Sequence, residues 1–255
     1  MLRVTTFNAN GLRAAVRKGF YDWLDGERPD LVALQEVRAR ADEIPPPPPG
    51  YRVEVAPAER AGYAGVAFLT RRPLRILETG FGVEEFDREG RLLLGELGSL
   101  RVAALYLPSG SQGPERQASK DRFLEIFPPV LDRWWARGRT IVAGDFNIAH
   151  RAIDLRNAKA NEKHSGFLPH ERAWMDRRLA PGAWVDTLRL LHPDTPGLYT
   201  WWTYRARAWE NDVGWRIDYQ IVTPDLTPHV RAVRIDKSPR FSDHAPYTVT
   251  YDLDP

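Results

Sequence analysis

The seven residues Val142-Ala-Gly-Asp-Phe-Asn-Ile148 constrain the chain more than any other stretch. Thr140 to Ala143 is β-branched and apolar enough for a strand inside a sheet. Gly144 permits a sharp turn. Asp145 and Asn147 then leave the sheet two residues apart, a spacing that points both to one side. A carboxylate beside an amide at a strand end can accept a proton, hold a water or bind a hard cation. An Asp-x-Asn turn capping its own backbone explains the same four residues if they stand alone.

They do not stand alone. Leu2–Phe7 reads as a strand running into Asn8-Ala-Asn10-Gly11, again with two amides two residues apart. Leu31–Leu34 is a buried strand ending in Gln35-Glu36, and Arg101–Leu107 is one carrying Tyr106 at its end. Arg216–Val222 contains Asp218, and Asp243-His244 stands directly before a last strand, Ala245–Leu253. Each has an ordinary reading: a turn cap, a paired structural acid, a surface turn, a core tyrosine with a bonded hydroxyl. All of them at the ends of buried strands form a pattern that packing alone does not produce.

Between these strands, Ala14–Gly26 has helical spacing, with Val16, Phe20, Trp23 and Leu24 on one face. Glu115–Arg137 is expected as a long amphipathic helix kinked at Pro128-Pro129, and Pro169–Leu179 as another helix. Tyr51–Val55, Gly65–Thr70, Leu74–Thr79, Leu92–Leu97 and Val230–Ile235 complete a mainly antiparallel strand set. Residues 149–169 are basic and poor in apolar side chains, so a loop is expected. Pro45–Pro49 reads as a stiff polyproline surface connection. No boundary or repeat divides the chain, which is expected to be one domain over residues 1–255.

Composition narrows the chemistry. The absence of cysteine excludes disulfides, zinc–thiolate sites, iron–sulfur clusters and a thiol nucleophile. The N-terminus enters a strand at once with no leader, and no apolar run approaches a membrane span. A cytoplasmic protein, nucleoid-associated if bacterial, is therefore expected. A net charge of +2 suits a protein that meets a polyanion through one local face. The aromatic and basic stretch Tyr199–Trp215 offers such a face.

The polar set contains what a phosphodiester hydrolase requires. Hard oxygens suit Mg²⁺ or Mn²⁺, with Glu36 as anchor. Asp145 is placed to act on a water, and Asn147, His244 and Tyr106 can donate to phosphate oxygens. A histidine in that role needs its other ring nitrogen held, as Asp218 can do.

Phe7-Asn-Ala-Asn-Gly-Leu-Arg-Ala14, Leu34-Gln-Glu36, Gly62-Tyr-Ala-Gly-Val66, Gly144-Asp-Phe-Asn147, Gly214-Trp-Arg-Ile-Asp-Tyr219 and Ser242-Asp-His244 closely resemble the exonuclease III family of DNA-repair nucleases, in the DNase I-like superfold. These motifs run in the family's order over nearly the whole chain. The resemblance implies a four-layered α/β sandwich, two mixed and mostly antiparallel sheets packed face to face with helices outside. It implies that Glu36 and Asn10 hold the metal with Asp243 nearby, and that Asn8 orients the catalytic Asp145. Asn147, Tyr106 and His244 would bind phosphate, Asp218 would orient His244, and Asn161 would face the scissile phosphate. Trp201, Trp215 and Ile217 fall where the family builds an apolar pocket for an extrahelical sugar. Such a pocket admits a base-less sugar more cheaply than a nucleotide that must be unstacked.

The implied partner is double-stranded DNA with abasic sites, nicks or blocked 3′ ends, met by a monomer. His164 departs from the family's abasic endonucleases, which usually carry Asn, Asp or a small residue there, and resembles members that favour 3′-end processing. Its bulk would crowd a flipped abasic sugar, so 3′→5′ exonuclease and 3′-end cleaning are expected first, with weaker abasic-site cleavage. A surface histidine without effect is the plain alternative. Arg205 would enter a groove or contact phosphate. A superfold phosphatase or phospholipase fits Tyr199–Trp215 poorly, because a small headgroup needs no stacking surface. A silent DNA-binding scaffold fits poorly a chain with a competent residue at every expected catalytic position.

Overall fold

Twelve strands make two six-stranded sheets in the computed structural model, which describes residues 1–255. The strands are β1 (Leu2–Asn8), β2 (Leu31–Gln35), β3 (Arg52–Ala56), β4 (Val66–Thr70), β5 (Arg75–Thr79) and β6 (Leu92–Leu97). They continue with β7 (Leu100–Tyr106), β8 (Thr140–Asp145), β9 (Val185–Asp186), β10 (Asp218–Val222), β11 (Val230–Ile235) and β12 (Tyr247–Tyr251). The orders are β11-β12-β1-β2-β4-β3 and β5-β6-β7-β8-β10-β9.

Side chains alternate between two buried faces, as period-2 geometry requires. In β2, Leu31 and Ala33 enter the largest core cluster, of 25 residues, while Val32 and Leu34 enter a second one on the other face. In β8, Ile141 and Ala143 join that same largest cluster, which also takes side chains from β1, β4, β6, β7 and β12. The largest core is therefore the seam between the sheets. Outside it, α1 (Leu12–Arg17) and α2 (Phe20–Glu27) supply Leu12, Phe20 and Leu24 against β1 and β2. On the opposite side lie α4 (Pro114–Ile126), α5 (Pro128–Arg137) and α7 (Pro169–Arg178), with Phe123, Leu131, Trp134 and Trp174 inward. Short helices α3 (Glu84–Asp87), α6 (Ala158–Asn161) and α8 (Thr187–Leu191) complete the set. The result is the expected four-layered α/β sandwich.

Each sheet contains one parallel step, β1–β2 in one and β7–β8 in the other, and every other pairing is antiparallel. In a parallel pair two strands end at the same edge. Asn8 lies opposite Gln35, just before Glu36, and Tyr106 lies opposite Asp145. Asp218 opens β10 opposite Asp145.

Four local expectations are corrected. The helix read over 14–26 is two helices, broken at Gly19, whose φ of 92° lies outside the helical region. The helix read over 115–137 is divided at Phe127 because Pro128 starts a new one at its favoured first position. The stretch 149–169 is not bare loop: a 3₁₀ turn at Ala152–Asp154 and α6 lie within it, each too short to leave an apolar period. Gly144 does not turn the chain. It lies within β8, and an added Cβ would overlap the carbonyl of Leu105, so it is needed for close approach of β7.

Candidate active site

Two matching turns build the centre of the site. At the end of β1, Asn8 Oδ1 accepts from Asn10 N at 3.0 Å, and at the end of β8, Asp145 Oδ1 accepts from Asn147 N at 2.8 Å. Asn10 and Asn147 both take positive φ, 44° and 51°. Glu36 (48°), Arg38 (51°) and Ala64 (37°) do so as well, and all five line one cavity. Non-glycine residues in this region are uncommon, and their gathering here marks backbone held in unfavourable conformations by its surroundings. The capping reading of Asp-x-Asn is thus correct for one oxygen of Asp145, while the other, at the cavity, accepts from Asn8 Nδ2 and from Asn147 Nδ2 at 3.3 Å.

The cavity holds about 420 Å³. Asn8 Nδ2 bridges Glu36 Oε1 (2.9 Å) and Asp145 Oδ2 (2.8 Å), joining the two sheets across the seam. The Tyr106 hydroxyl also donates to Glu36 Oε1 at 2.8 Å. Burial and then the charge of Glu36 push that phenol well above its usual range, so it stays protonated and donates. Arg38 bonds the other Glu36 oxygen. Asn10 Nδ2 donates to Asp243 Oδ1 (2.9 Å), and Trp201 Nε1 to Asp243 Oδ2 (3.1 Å). Burial works against the charge of Asp243, yet His244 and these bonds hold it below the ordinary carboxylate range.

His244 Nδ1 lies 2.9 Å from Asp218 Oδ2, and its Nε2 lies 3.9 Å from Asp145 Oδ2. Burial pushes the imidazole down, but the charge of Asp218, with help from Asp145 and Asp243, outweighs this and lifts it to about 10. Burial and then the charge of Asp218 push Asp145 up to about 7. The centre therefore pairs an imidazolium with a carboxylate that exchanges a proton near neutrality.

Asn147 turns its amide to Leu107 O (2.9 Å) and lines the cavity, as do Asn161, on α6, and the exposed His164. Trp201 and Trp215 meet edge to face at 6.2 Å and form an apolar wall with Ile217. Trp134, Trp174, Trp184 and Trp202 are core. Asn8 and Asp218 stand one layer behind the lining. Arg205 is exposed and is not brought to the cavity. Every other expected residue gathers there.

Sequence reasoning missed part of the wall: Arg38, Arg91, Arg116 and Ser109 also line it. Arg91 stacks on the Tyr106 ring, and Arg116 donates to the Tyr63 hydroxyl at 2.7 Å. It also missed Lys120 and Glu171 behind the wall, although a signal existed. Lys120 precedes Phe123, Leu124 and Phe127 by three, four and seven residues, and Glu171 precedes Trp174 and Met175 by three and four. Both charges are therefore on apolar faces.

Two clusters could take a cation. Asp145, Asp218 and His244 place their ligand atoms within 4.8 Å of one another, but His244 already spends Nδ1 on Asp218. Glu36 and Asp243 offer carboxylate oxygens and Asn10 an amide oxygen, the chemistry a hard divalent ion prefers.

Residues 5–244 match the model of the endonuclease/exonuclease/phosphatase family. An exodeoxyribonuclease of Bacillus subtilis is 36% identical over 254 residues, 99% of this chain and all of that protein. The structure of an AP endonuclease from Archaeoglobus fulgidus superposes with a TM-score of 0.87 at 26% identity, covering 99% of this chain and all of that one. A 3′ phosphatase, NExo, from Neisseria, solved with a product DNA hairpin, gives 0.89 at 26% identity with the same coverage.

Proposed function

Because the chain belongs to the endonuclease/exonuclease/phosphatase family, as a DNA phosphodiester hydrolase of its exonuclease III and AP endonuclease branch, we propose that it degrades and cleans 3′ ends of duplex DNA in preference to cutting at abasic sites. The observation that carries this reading is His164, exposed on the cavity wall beside Asn161 and Ser165. An imidazole there takes up room on the side where a flipped sugar would enter, whereas a 3′ terminus needs no flipping.

The bonds support a role for each residue. Asp145 Oδ2, with its carboxyl exchanging a proton near pH 7, takes the proton of the attacking water. Asn8 holds that oxygen in place. His244, kept charged by Asp218, donates from Nε2 to a phosphate oxygen, and Asn147 and Tyr106, whose donors rest on Leu107 O, Asp145 Oδ2 and Glu36 Oε1, would turn to the phosphate beside it. Asn161 borders the same space, and Arg205 meets DNA outside the cavity. Glu36 and Asn10, with Asp243 adjacent, would hold Mg²⁺ or Mn²⁺. When bound, such an ion neutralises charge on the phosphate and the leaving oxygen. The site is complete within one chain, which supports a monomer, and the seam shared by both sheets supports one domain over residues 1–255.

A second reading, full abasic endonuclease activity with His164 incidental, is favoured by the wall of Trp201, Trp215 and Ile217, which suits a sugar without a base. One preparation with Mg²⁺ or Mn²⁺ and two labelled duplexes separates the two, one carrying an abasic analogue and one a recessed or 3′-phosphorylated end. The 3′ end is expected to be processed faster, and His164→Gly or His164→Asn to raise abasic incision about 10-fold or more relative to exonuclease, as a specificity contact does. Equal rates on both duplexes and an unchanged ratio in both variants would overturn the first reading.

A further inference from the structure

Behind the cavity wall, Lys120 on α4 and Glu171 on α7 form an ion pair of 2.6 Å, with both side chains at 0% exposure. Lys120 Nζ also donates to the carbonyl of Asn147 at 2.8 Å. Glu171 Oε2 accepts from Gly166 N (2.7 Å) and Leu168 N (2.9 Å), so it holds the turn that follows His164. Ala149 N donates to Gly166 O at 2.7 Å, which ties this turn to the strand-end loop carrying Asn147. Gly166 is fitted closely: a Cβ there would come within 3.1 Å of Asn147 O and 3.2 Å of the Trp215 ring. A third loop meets the same place. Gly110 packs so tightly against Gln117 Oε1 and Ser165 Oγ that a Cβ would overlap both, and Gln117 Nε2 reaches Glu171 Oε1 at 3.3 Å.

Attraction between the two charges does not by itself account for such a pair. Two charges lose their hydration on burial, and an apolar pair of similar volume commonly packs as well or better. Neither group reaches the cavity, whose lining includes neither. What only this pair supplies is a donor and an acceptor aimed, at fixed separation, at two backbone turns from different parts of the chain.

We infer that Lys120 and Glu171 are positioning residues for hydrolysis, a two-sided brace that sets the distance between the Asn147 turn and the His164–Gly166 turn. The inference rests on the reading of Asn147 as a phosphate contact. It assigns the brace no contact with DNA: losing it should leave binding intact and let the two walls drift. A drift of an ångström is enough to spoil an aligned attack.

The test is the double variant Lys120→Met/Glu171→Leu, which leaves no lone buried charge. Its melting temperature is expected to fall, because Asn147 O, Gly166 N and Leu168 N lose their partners, so it is assayed well below that temperature; its Kd for duplex DNA should change little, while kcat falls about 10- to 100-fold, the usual cost of losing a supporting shell. The ratio of abasic incision to exonuclease should shift as well, and Lys120→Arg should recover part of the rate. An unchanged kcat and ratio in the folded double variant would reduce the pair to packing. If the double variant does not fold, Lys120→Met decides. The Glu171 carboxylate keeps its bonds from Gly166 N, Leu168 N and Gln117 Nε2 while the link to Asn147 O is lost, so a lower kcat at unchanged Kd supports the brace and an unchanged kcat overturns it. Asp145→Asn is measured alongside. Full activity in that variant removes the underlying reading of the site, whereas its inactivity together with an undiminished double variant removes only the brace.

Discussion

Asp145 uses its two oxygens differently: Oδ1 is spent on the Asn147 backbone, and Oδ2 faces Asn8 and His244. Asn at this position keeps the cap and the shape but cannot take a proton. Asp145→Asn is therefore expected to lower kcat by roughly 10²–10⁴-fold with duplex binding retained, checked by single-turnover kinetics beside a binding titration. Asp218→Asn acts one step back. It removes the largest of the charges that lift His244 against burial, so the imidazole gives up its proton more readily than in the wild type and the rate falls, by about 10- to 100-fold as for other orienting partners. A rate unchanged in either variant would contradict the assignment. At this scale the sequence was informative because catalysis needs polar side chains where burial forbids them, and Asn8, Glu36, Asp145 and Asp218 each interrupt an apolar strand end. Lys120 and Glu171 broke the same rule inside helices, where a charge is readily taken for part of the solvated face. Arg91 and Arg116 left no trace, since an arginine reaching a cavity reads like any surface arginine.

Among the elements, strands were easier to place than helices. A two-residue strand such as β9 has no period to detect, and α8 leans on it, its N-terminus capped by Asp186. The wall of the cavity depends on just these obscure pieces. Asp154, wholly buried in the 149–169 segment, accepts from Arg216 Nε at 2.7 Å and from Arg189 Nε, on α8, at 3.2 Å. Arg216 also lies 2.8 Å from Asp186. The cluster pins Trp215 and Ile217 from behind. Burial opposes the charge of Asp154, but Arg216 and then Arg189 overcome it and hold the carboxyl far below its ordinary range. A carboxylate depressed on folding stabilises above its unfolded pKa of about 3.9 and loses that contribution as pH falls below it. Asp154→Ala should thus cost about 3–5 kcal/mol at pH 7, the cost of breaking a buried pair. The gap to the wild type should narrow as pH drops from 4 toward 2, measured by denaturant titration at several pH values. A gap independent of pH would mean that the carboxylate is not what holds the cluster.

For the whole molecule, a net charge of +2 gives little general attraction for DNA, so affinity must come from where the cations are. Arg38, Arg91 and Arg116 border the cavity, and Lys159 and Lys163 are exposed on the segment that carries Asn161 and His164. Duplex binding should weaken steeply between 50 and 200 mM salt, and Lys159→Ala and Lys163→Ala should each reduce the slope of log K against log salt by about one. An unchanged slope would place the DNA elsewhere. The antiparallel pairing of the last strand with the first has a further consequence, one of timing. β12 lies beside β1, with Thr248 bonded to Thr5 across 243 residues of chain, and His244 arrives with β12. Contacts so distant form late, after the chain between them has been made. A ribosome that has released Asn8, Glu36, Tyr106 and Asp145 has, on the proposed roles, still to make the histidine that donates to phosphate. Activity is expected only once the last strand has joined the first.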